Sequence, residues 1–261
     1  MAYETLVIER HRGGIARLTL NRPEVHNALS GRMLEELPQA VRELESEPGV
    51  RVVVLTGAGE SFCAGADLRW MQDVSKLDRA GRIAASGGVA AVLLALDGLS
   101  KPLVGRINGQ AYGGGVGLIA VCDIAIAARG ARFGLSEVRL GLIPANIGPY
   151  VMKRLGEART REIFFNGKLF DAEEAERLGL VSRAVDAAEL DGAVEREAGY
   201  FLKCGPQAVA RAKALVHHIA RHGPSESIEY AILRLADAWE GEESREGIAA
   251  FFEKRKPSWA S

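Results

Sequence analysis

The sequence predicts an α/β fold with crossover connections, on three observations. Short, nearly continuous apolar runs at residues 50–56, 103–107 and 124–128 have the composition of strands buried on both faces. Helical stretches separate them: residues 80–99 are rich in Ala, Val and Leu, and residues 113–122 begin glycine-rich and turn apolar, like a helix entering a core. From residue 172 onward the pattern is helical, so a helical tail follows the alternating part.

The elements follow in order. Residues 1–9 alternate apolar and polar, and residues 5–9 and 15–20 flank His11-Arg12-Gly13-Gly14, which reads as a hairpin. Asn21-Arg22-Pro23 stops the second strand. Ser30 is placed to cap a helix whose stripe is Met33, Leu37, Val41 and Leu44; Pro38 inside it is expected to kink the helix or delay its start, and Pro48-Gly49 ends it. Asp171 is placed to cap a helix running through Leu178 to Gly179. Further helices are expected at residues 190–203, 206–221 (closed by Gly223-Pro224), 227–239 and 246–254. The tail aromatics Tyr230, Trp239, Phe251, Phe252 and Trp259 fit either a surface bundle or a cover over the core or a neighbouring subunit.

Composition excludes several classes. With 261 residues, 48% hydrophobic and 26% charged, the chain is an ordinary globular one that buries a core without staples. The 33 basic residues nearly cancel the 34 acidic ones, which argues against nucleic acid as the partner. The three cysteines, Cys63, Cys122 and Cys204, are too scattered for a disulfide framework, so a cytoplasmic setting is expected. No basic-then-apolar leader opens the chain, and the longest apolar run, residues 116–128, is broken by Asp123 and too short for a bilayer, so no membrane partner is expected.

Many of the 30 glycines cluster, and two of the clusters follow buried strands. Ser61-Phe62-Cys63-Ala64-Gly65-Ala66-Asp67-Leu68 comes after the run at 50–56; Asn108-Gly109-Gln110-Ala111-Tyr112-Gly113-Gly114-Gly115-Val116-Gly117 comes after the run at 103–107. Strand C-terminal ends are where α/β sheets place ligands. Neither segment has the spacing of a dinucleotide fingerprint or the Gly-Lys-Ser/Thr of a P-loop. Each alone reads as a tight turn; two together are better explained by backbone N–H groups converging on an oxygen atom.

These segments resemble the crotonase (enoyl-CoA hydratase/isomerase) superfamily, over nearly the whole chain. The resemblance rests on Leu20-Asn21-Arg22-Pro23 with Asn27-Ala28-Leu29, the two glycine segments, Cys122-Asp123, Phe133-Gly134 with Glu137, Leu140-Gly141 with Pro144, and the closing Phe251-Phe252-Glu253-Lys254-Arg255-Lys256-Pro257. It implies acyl-CoA chemistry on a spiral of ββα units spanning residues 1–200, with residues 201–261 a helical region for a homotrimer or a dimer of trimers. It implies that the N–H groups of Ala66 and Gly114 hold the thioester oxygen, and that no cofactor is needed beyond the coenzyme A of the substrate. CoA contacts are implied near Val25, Ala64, Asp67 and Leu68, with Phe251 and Lys254 reaching in from the C-terminal region.

The acid–base residues depart from the family's two-glutamate pattern. The first position is Gly117; the second is Glu137. One carboxyl can still run a hydration by taking a proton from water and returning it to Cα, provided its pKa lies near working pH. It can equally move a double bond, as in an isomerase. Gly117 is expected to leave a void for water or a bulkier substrate. Asn146 and Tyr150, in a stretch that departs from the family version, are polar candidates that either reach the pocket or merely cap and pack. The combination is similar to bacterial 3-methylglutaconyl-CoA hydratases and their isohexenyl homologue, where Arg139 or Arg69 either meets an acyl carboxylate or, as is the commoner use of such residues, forms surface salt bridges. A catalytically weak CoA- or RNA-binding scaffold is the reading of another class. His218 and His222 have metal-ligand spacing but no third ligand evident in the sequence; beside Arg221 at a helix end they read as a cation near the C-terminal dipole, so no metal is expected, and Ser61 and Ser136 have no histidine supplied by any motif.

Overall fold

The computed structural model describes residues 3–260; Met1 and Ala2, the start of the alternation at 1–9, and Ser261, the end of the tail region, lie outside the described residues. Strands β1 (Leu6–His11) and β2 (Ile15–Leu20) form the expected hairpin, with Leu6 opposite Leu20. Helix α1 (Gly31–Ser46) starts directly after Ser30, whose hydroxyl accepts from the Met33 N–H at 3.3 Å. Pro38 does not delay it, and no residue around Pro38 leaves helical backbone angles; the buried stripe of Met33, Leu37, Val41 and Leu44 holds the helix on both sides of the proline.

Strand β3 (Val52–Gly57) shows why its run is apolar throughout. Side chains alternate across a strand, and here both faces are covered. Val53 and Leu55 enter a large core with Met33, Leu37 and Leu93, while Val52 and Val54 enter a second one. Helix α2 (Leu68–Lys76), which the sequence reading did not anticipate, and α3 (Arg79–Asp97) lead to β4 (Leu103–Ile107). Helix α3 is long and apolar enough to cross a membrane by length and composition. Its Val92, Leu93 and Leu96 are buried in the core.

Next come β5 (Ala111–Tyr112), α4 (Gly114–Ala120), β6 (Ile124–Ala128) and β7 (Arg132–Gly134). They are followed by α5 (Gly148–Phe164), bent at Gly156 where φ is 75°, then β8 (Leu169–Asp171), α6 (Ala172–Leu178) and β9 (Arg183–Val185). Asp171 caps α6 as expected, accepting from Glu174 N–H at 2.9 Å. The six-stranded sheet has order β1-β2-β3-β4-β6-β9, parallel from β2 onward. A smaller sheet, β5-β7-β8, takes its first strand just after β4 and its second just after β6, so successive turns of the chain feed both sheets in the manner of a spiral. The bridges Cys63↔Ala111 and Leu29↔Ala66 continue the small ladder into the glycine segments.

Helix α7 (Leu190–Leu202) covers the outer face of the large sheet through Leu190, Ala193, Val194 and Ala198. Helices α8 (Pro206–Ile219), α9 (Pro224–Trp239) and α10 (Glu242–Phe252) form the tail. Two begin earlier than expected. Pro224 opens α9 rather than only closing α8, because proline suits the first helical position. Glu242 and Glu243 fill the first turn of α10, where the helix dipole favours acid.

Candidate active site

The motif residues at 21–27 build a frame for the first glycine segment. Asn27 Nδ2 donates to the carbonyls of Ala58 at 2.9 Å and Ser61 at 2.8 Å. Asn108 Nδ2 donates to Gly59 O at 2.9 Å, and its Oδ1 accepts from Gly57 N–H at 3.2 Å. Arg22 Nη1 reaches Asp67 Oδ2 at 2.8 Å and Ala28 O at 2.7 Å. Asp67 also caps α2 by accepting from the N–H groups of Arg69 and Trp70. Burial would raise its carboxyl pKa, yet the Arg22 guanidinium and these donors hold it below the ordinary carboxylate value.

Around Ala66 the backbone is pinned on both sides: Leu29 N–H donates to Gly65 O at 2.7 Å, and Asp67 N–H to Leu29 O at 3.1 Å. Gly65 sits at φ 89°, a conformation that favours glycine. A Cβ there would stand 2.8 Å from Tyr112 O and 3.7 Å from Gly114 N, so the two glycine segments touch at this point. Gly113 N–H donates to Gly134 O at 3.0 Å, fixing the entry of α4. The N–H of Gly114 belongs to the first turn of α4 and has no intrahelical acceptor. Among the described residues, neither Ala66 N–H nor Gly114 N–H donates to any acceptor. Two donors without a partner among the described residues therefore lie on the two segments that meet here.

Glu137 opens a single 3₁₀ turn (Glu137–Leu140) just after β7. Its Oε1 lies 3.1 Å from where a Gly113 Cβ would be, which puts the carboxyl directly over the residue preceding Gly114. Its Oε2 is shielded from solvent and has no hydrogen-bond partner among the described residues. Burial pushes its pKa up, and its own backbone N–H offsets only part of that. A carboxyl group with free lone pairs, a raised pKa and two adjacent free N–H donors can exchange a proton beside a carbonyl oxygen that gains charge.

Several expectations meet different surroundings. Gly117 leaves no void: a Cβ there would collide with Cγ2 of Ile147 and lie 3.5 Å from Leu93 Cδ2, so Ile147 fills the space that was expected to take water or substrate. Asn146 is half-buried in the loop before α5, and Pro144 beside it is buried. Tyr150 lies near Asp97 at the far end of α3; burial and that carboxylate raise its hydroxyl pKa, and no contact joins it to Glu137. Asp97 is itself ion-paired with Lys153 and Arg221, each at 3.7 Å. The N–H groups of Val25, Ala64 and Asp67 donate inside the chain, to Arg22, His26 and Leu29 carbonyls. Among the described residues the Ala64 carbonyl and the Leu68 N–H carry no such bond, so they are what this stretch offers a ligand. Phe251 is 79% exposed, and Lys254 is exposed just beyond α10; the chain by itself does not bring either to Glu137.

Two pairings escaped the sequence. His26 Nδ1 lies 2.9 Å from Ser61 Oγ, and Gln110 Nε2 donates to the same oxygen at 3.1 Å. Ser61 is buried, so this pair staples the loop rather than presenting a nucleophile. Cys63 is also buried, which pushes its thiol pKa up to about 12 and keeps it protonated. Leu29 closes the space beside Gly114 and stands in the Asn27-Ala28-Leu29 motif, whereas Ile147, which closes the space beside Gly117, carried no signal beyond an ordinary apolar position.

The model of a family described as enoyl-CoA hydratase/isomerase matches residues 10–261. The chain belongs to this family, within the crotonase superfamily. The crotonyl-CoA hydratase of Syntrophomonas wolfei is 36% identical over the full length of both chains. A probable enoyl-CoA hydratase of Mycobacterium bovis is also 36% identical, over 99% of each chain. Among solved structures, Pseudomonas aeruginosa AtuE superposes with a TM-score of 0.95 at 36% identity, covering 99% of this chain and 100% of its own. Membership makes this an enzyme of enoyl-CoA hydratase type, and crotonase family members act on acyl-CoA substrates and are typically oligomeric.

Proposed function

We propose that the enzyme reversibly adds water across the double bond of a branched enoyl-CoA, with Glu137 as the only proton carrier. The supporting observation is the Glu137 carboxyl, unpartnered at Oε2 and raised in pKa, beside two free N–H groups. As carboxylate, Glu137 takes a proton from water while the oxygen bonds to Cβ. The electrons of the double bond move through Cα onto the thioester oxygen, where Ala66 and Gly114 N–H donate to the enolate; each such donor contributes about 3 kcal/mol at the transition state. The protonated Glu137 then returns its proton to Cα and the carbonyl reforms.

For the acyl group we propose 3-methylglutaconyl-CoA or a related branched glutaconyl thioester. Arg69, exposed in the first turn of α2 next to the Ala66 segment, has no carboxylate partner among the described residues and is the cation that would meet the acyl carboxylate. Arg139 packs over the backbone of Gly167 instead. The reaction needs no group beyond the substrate's coenzyme A. Phe251, Phe252, Trp239 and Ile232 stay exposed on α9 and α10, which supports a homotrimer in which Phe251 and Lys254 serve a neighbouring site.

A second reading, isomerisation of a 3-enoyl-CoA by the same glutamate, is favoured by Ile147: its methyl occupies the position where a second carboxyl or an ordered water would sit. Turnover of crotonyl-, 3-methylcrotonyl-, 3-methylglutaconyl- and 3-enoyl-CoA in ¹⁸O-water separates the two. Hydration fixes ¹⁸O at Cβ and isomerisation moves only protons. Label in the product, lost in Glu137→Gln, is the expected result; unchanged turnover of every thioester by Glu137→Gln would reject both readings.

A further inference from the structure

The junction of α8 and α9 gathers a set of side chains that the acyl-CoA chemistry does not use. His218 lies in the last turn of α8, His222 in the following turn, and Glu226 in the first turn of α9. One nitrogen of each ring and one carboxylate oxygen all lie within 4.8 Å of one another. His222 Nδ1 stands 2.8 Å from the His218 carbonyl oxygen. A carbonyl only accepts, so Nδ1 carries a proton, which leaves Nε2 as the nitrogen that offers a lone pair to a metal when the ring is neutral. That atom faces Glu226 Oε1 at 3.5 Å. Two ligand atoms on a zinc-like ion, each about 2.1 Å from it, stand about 3.4 Å apart at the tetrahedral angle. The backbone bond to Nδ1 is the kind of outer contact that orients a metal-binding imidazole.

His218 stacks between His222 and Tyr230. Its ring lies 3.9 Å from that of His222 and 3.8 Å from that of Tyr230. Its Nε2 is shielded from solvent and has no hydrogen-bond partner among the described residues. His218, His222 and Tyr230 also line a cavity of about 330 Å³ together with Lys213, His217 and Arg221.

We propose that His218, His222 and Glu226 bind a divalent ion of the zinc type, with the remaining coordination position open to the cavity. Two imidazoles and one carboxylate suit zinc and its transition-metal neighbours, whereas magnesium and calcium favour all-oxygen sets. Tetrahedral ligation closes the widest ligand separation by about 1.4 Å and turns the His218 ring out of its near-parallel stack on His222, through ring and carboxylate torsions. The ion ties the end of α8 to the start of α9 and so sets the direction in which α9 carries its exposed Ile228, Ile232 and Trp239.

The test is calorimetric titration of tag-free, chelator-dialysed protein with ZnCl₂, with thermal melts alongside. The expected result is one ion per chain and a raised melting temperature, with no response to MgCl₂ at the same concentration. His222→Gln and Glu226→Gln change solvent-facing groups, and melts without metal verify that both fold. Each is expected to weaken zinc binding at least about tenfold, while the remote surface variant Asp73→Asn leaves it unchanged. Absence of stoichiometric binding, or equal binding by both variants, would overturn the site and leave only an ion pair between His222 and Glu226.

Discussion

Two glutamates sit against the core of this molecule in opposite circumstances. Glu36, on α1 beneath the N-terminal hairpin, is 1% exposed and surrounded by donors: the N–H groups of Glu4 and Thr5, the Thr5 hydroxyl at 2.6 Å, and Arg32 at 3.0 Å. Burial raises its pKa, but these donors outweigh burial and bring it below the ordinary value. Glu137 is less buried, yet its Oε2 has no donor among the described residues and its pKa moves up. A carboxylate that holds structure has its lone pairs satisfied within the chain. Glu137 leaves its Oε2 lone pairs open, at a cost in stability, as its proposed proton exchange requires. The free N–H groups of Ala66 and Gly114 repeat this pattern on the donor side.

The largest expected effect breaks the comparison at its reactive end. Glu137→Gln should lower kcat/KM on the preferred enoyl-CoA by about 10³-fold, within the range of general acid–base groups. It should not lower stability at neutral pH. The sign follows from linkage: the folded pKa of Glu137 is above its unfolded value, so ionisation opposes folding once pH rises past the ordinary carboxylate range. Thermal melts at pH 7 should place the variant at or above the native enzyme, and the difference should vanish on acidification.

Glu36→Gln should do the reverse, lowering unfolding free energy by about 3 kcal/mol in urea titrations while turnover per folded molecule is kept. The folded pKa of Glu36 is depressed, so its contribution is complete above the ordinary carboxylate pKa and is lost as pH falls through the folded value. The native enzyme should therefore lose stability on the acid side where the variant does not.

Gly114→Pro removes one of the two free donors at the first position of α4, where proline is otherwise tolerated. A loss of about 10²-fold in kcat is expected relative to Gly114→Ala, which keeps the N–H and shares the contact with Leu29 Cδ1. The smallest effect sharpens the account of the missing second carboxyl. Gly117→Ala should destabilise by about 1–3 kcal/mol through overpacking against Ile147, and Ile147→Ala in the same chain should relieve it in denaturant melts.

Much of this was legible in the sequence because local chemistry dictated it. Ser30 and Asp171 announce their helices through a side-chain oxygen, and the run at 50–56 is apolar because both faces of β3 are covered. The family motifs singled out Ala66, Gly114 and Glu137, which the fold brings to one junction. What sequence could not show depends on contacts between distant segments. Ile147 fills the space at Gly117 from thirty residues away, and His26 meets Ser61 across two loops. Residues such as Tyr150 carry no signal for which end of a helix pair they will face, and the fold sends it toward Asp97.

The difference between the two carboxyls can be read directly. Carbon-13 NMR titration of side-chain carboxyls, assigned by loss of the corresponding signals in Glu137→Gln and Glu36→Gln, gives each pKa in the intact enzyme. The account predicts Glu137 above the ordinary glutamate value of about 4.3 and Glu36 below it. A Glu137 signal titrating at or below that value would contradict it.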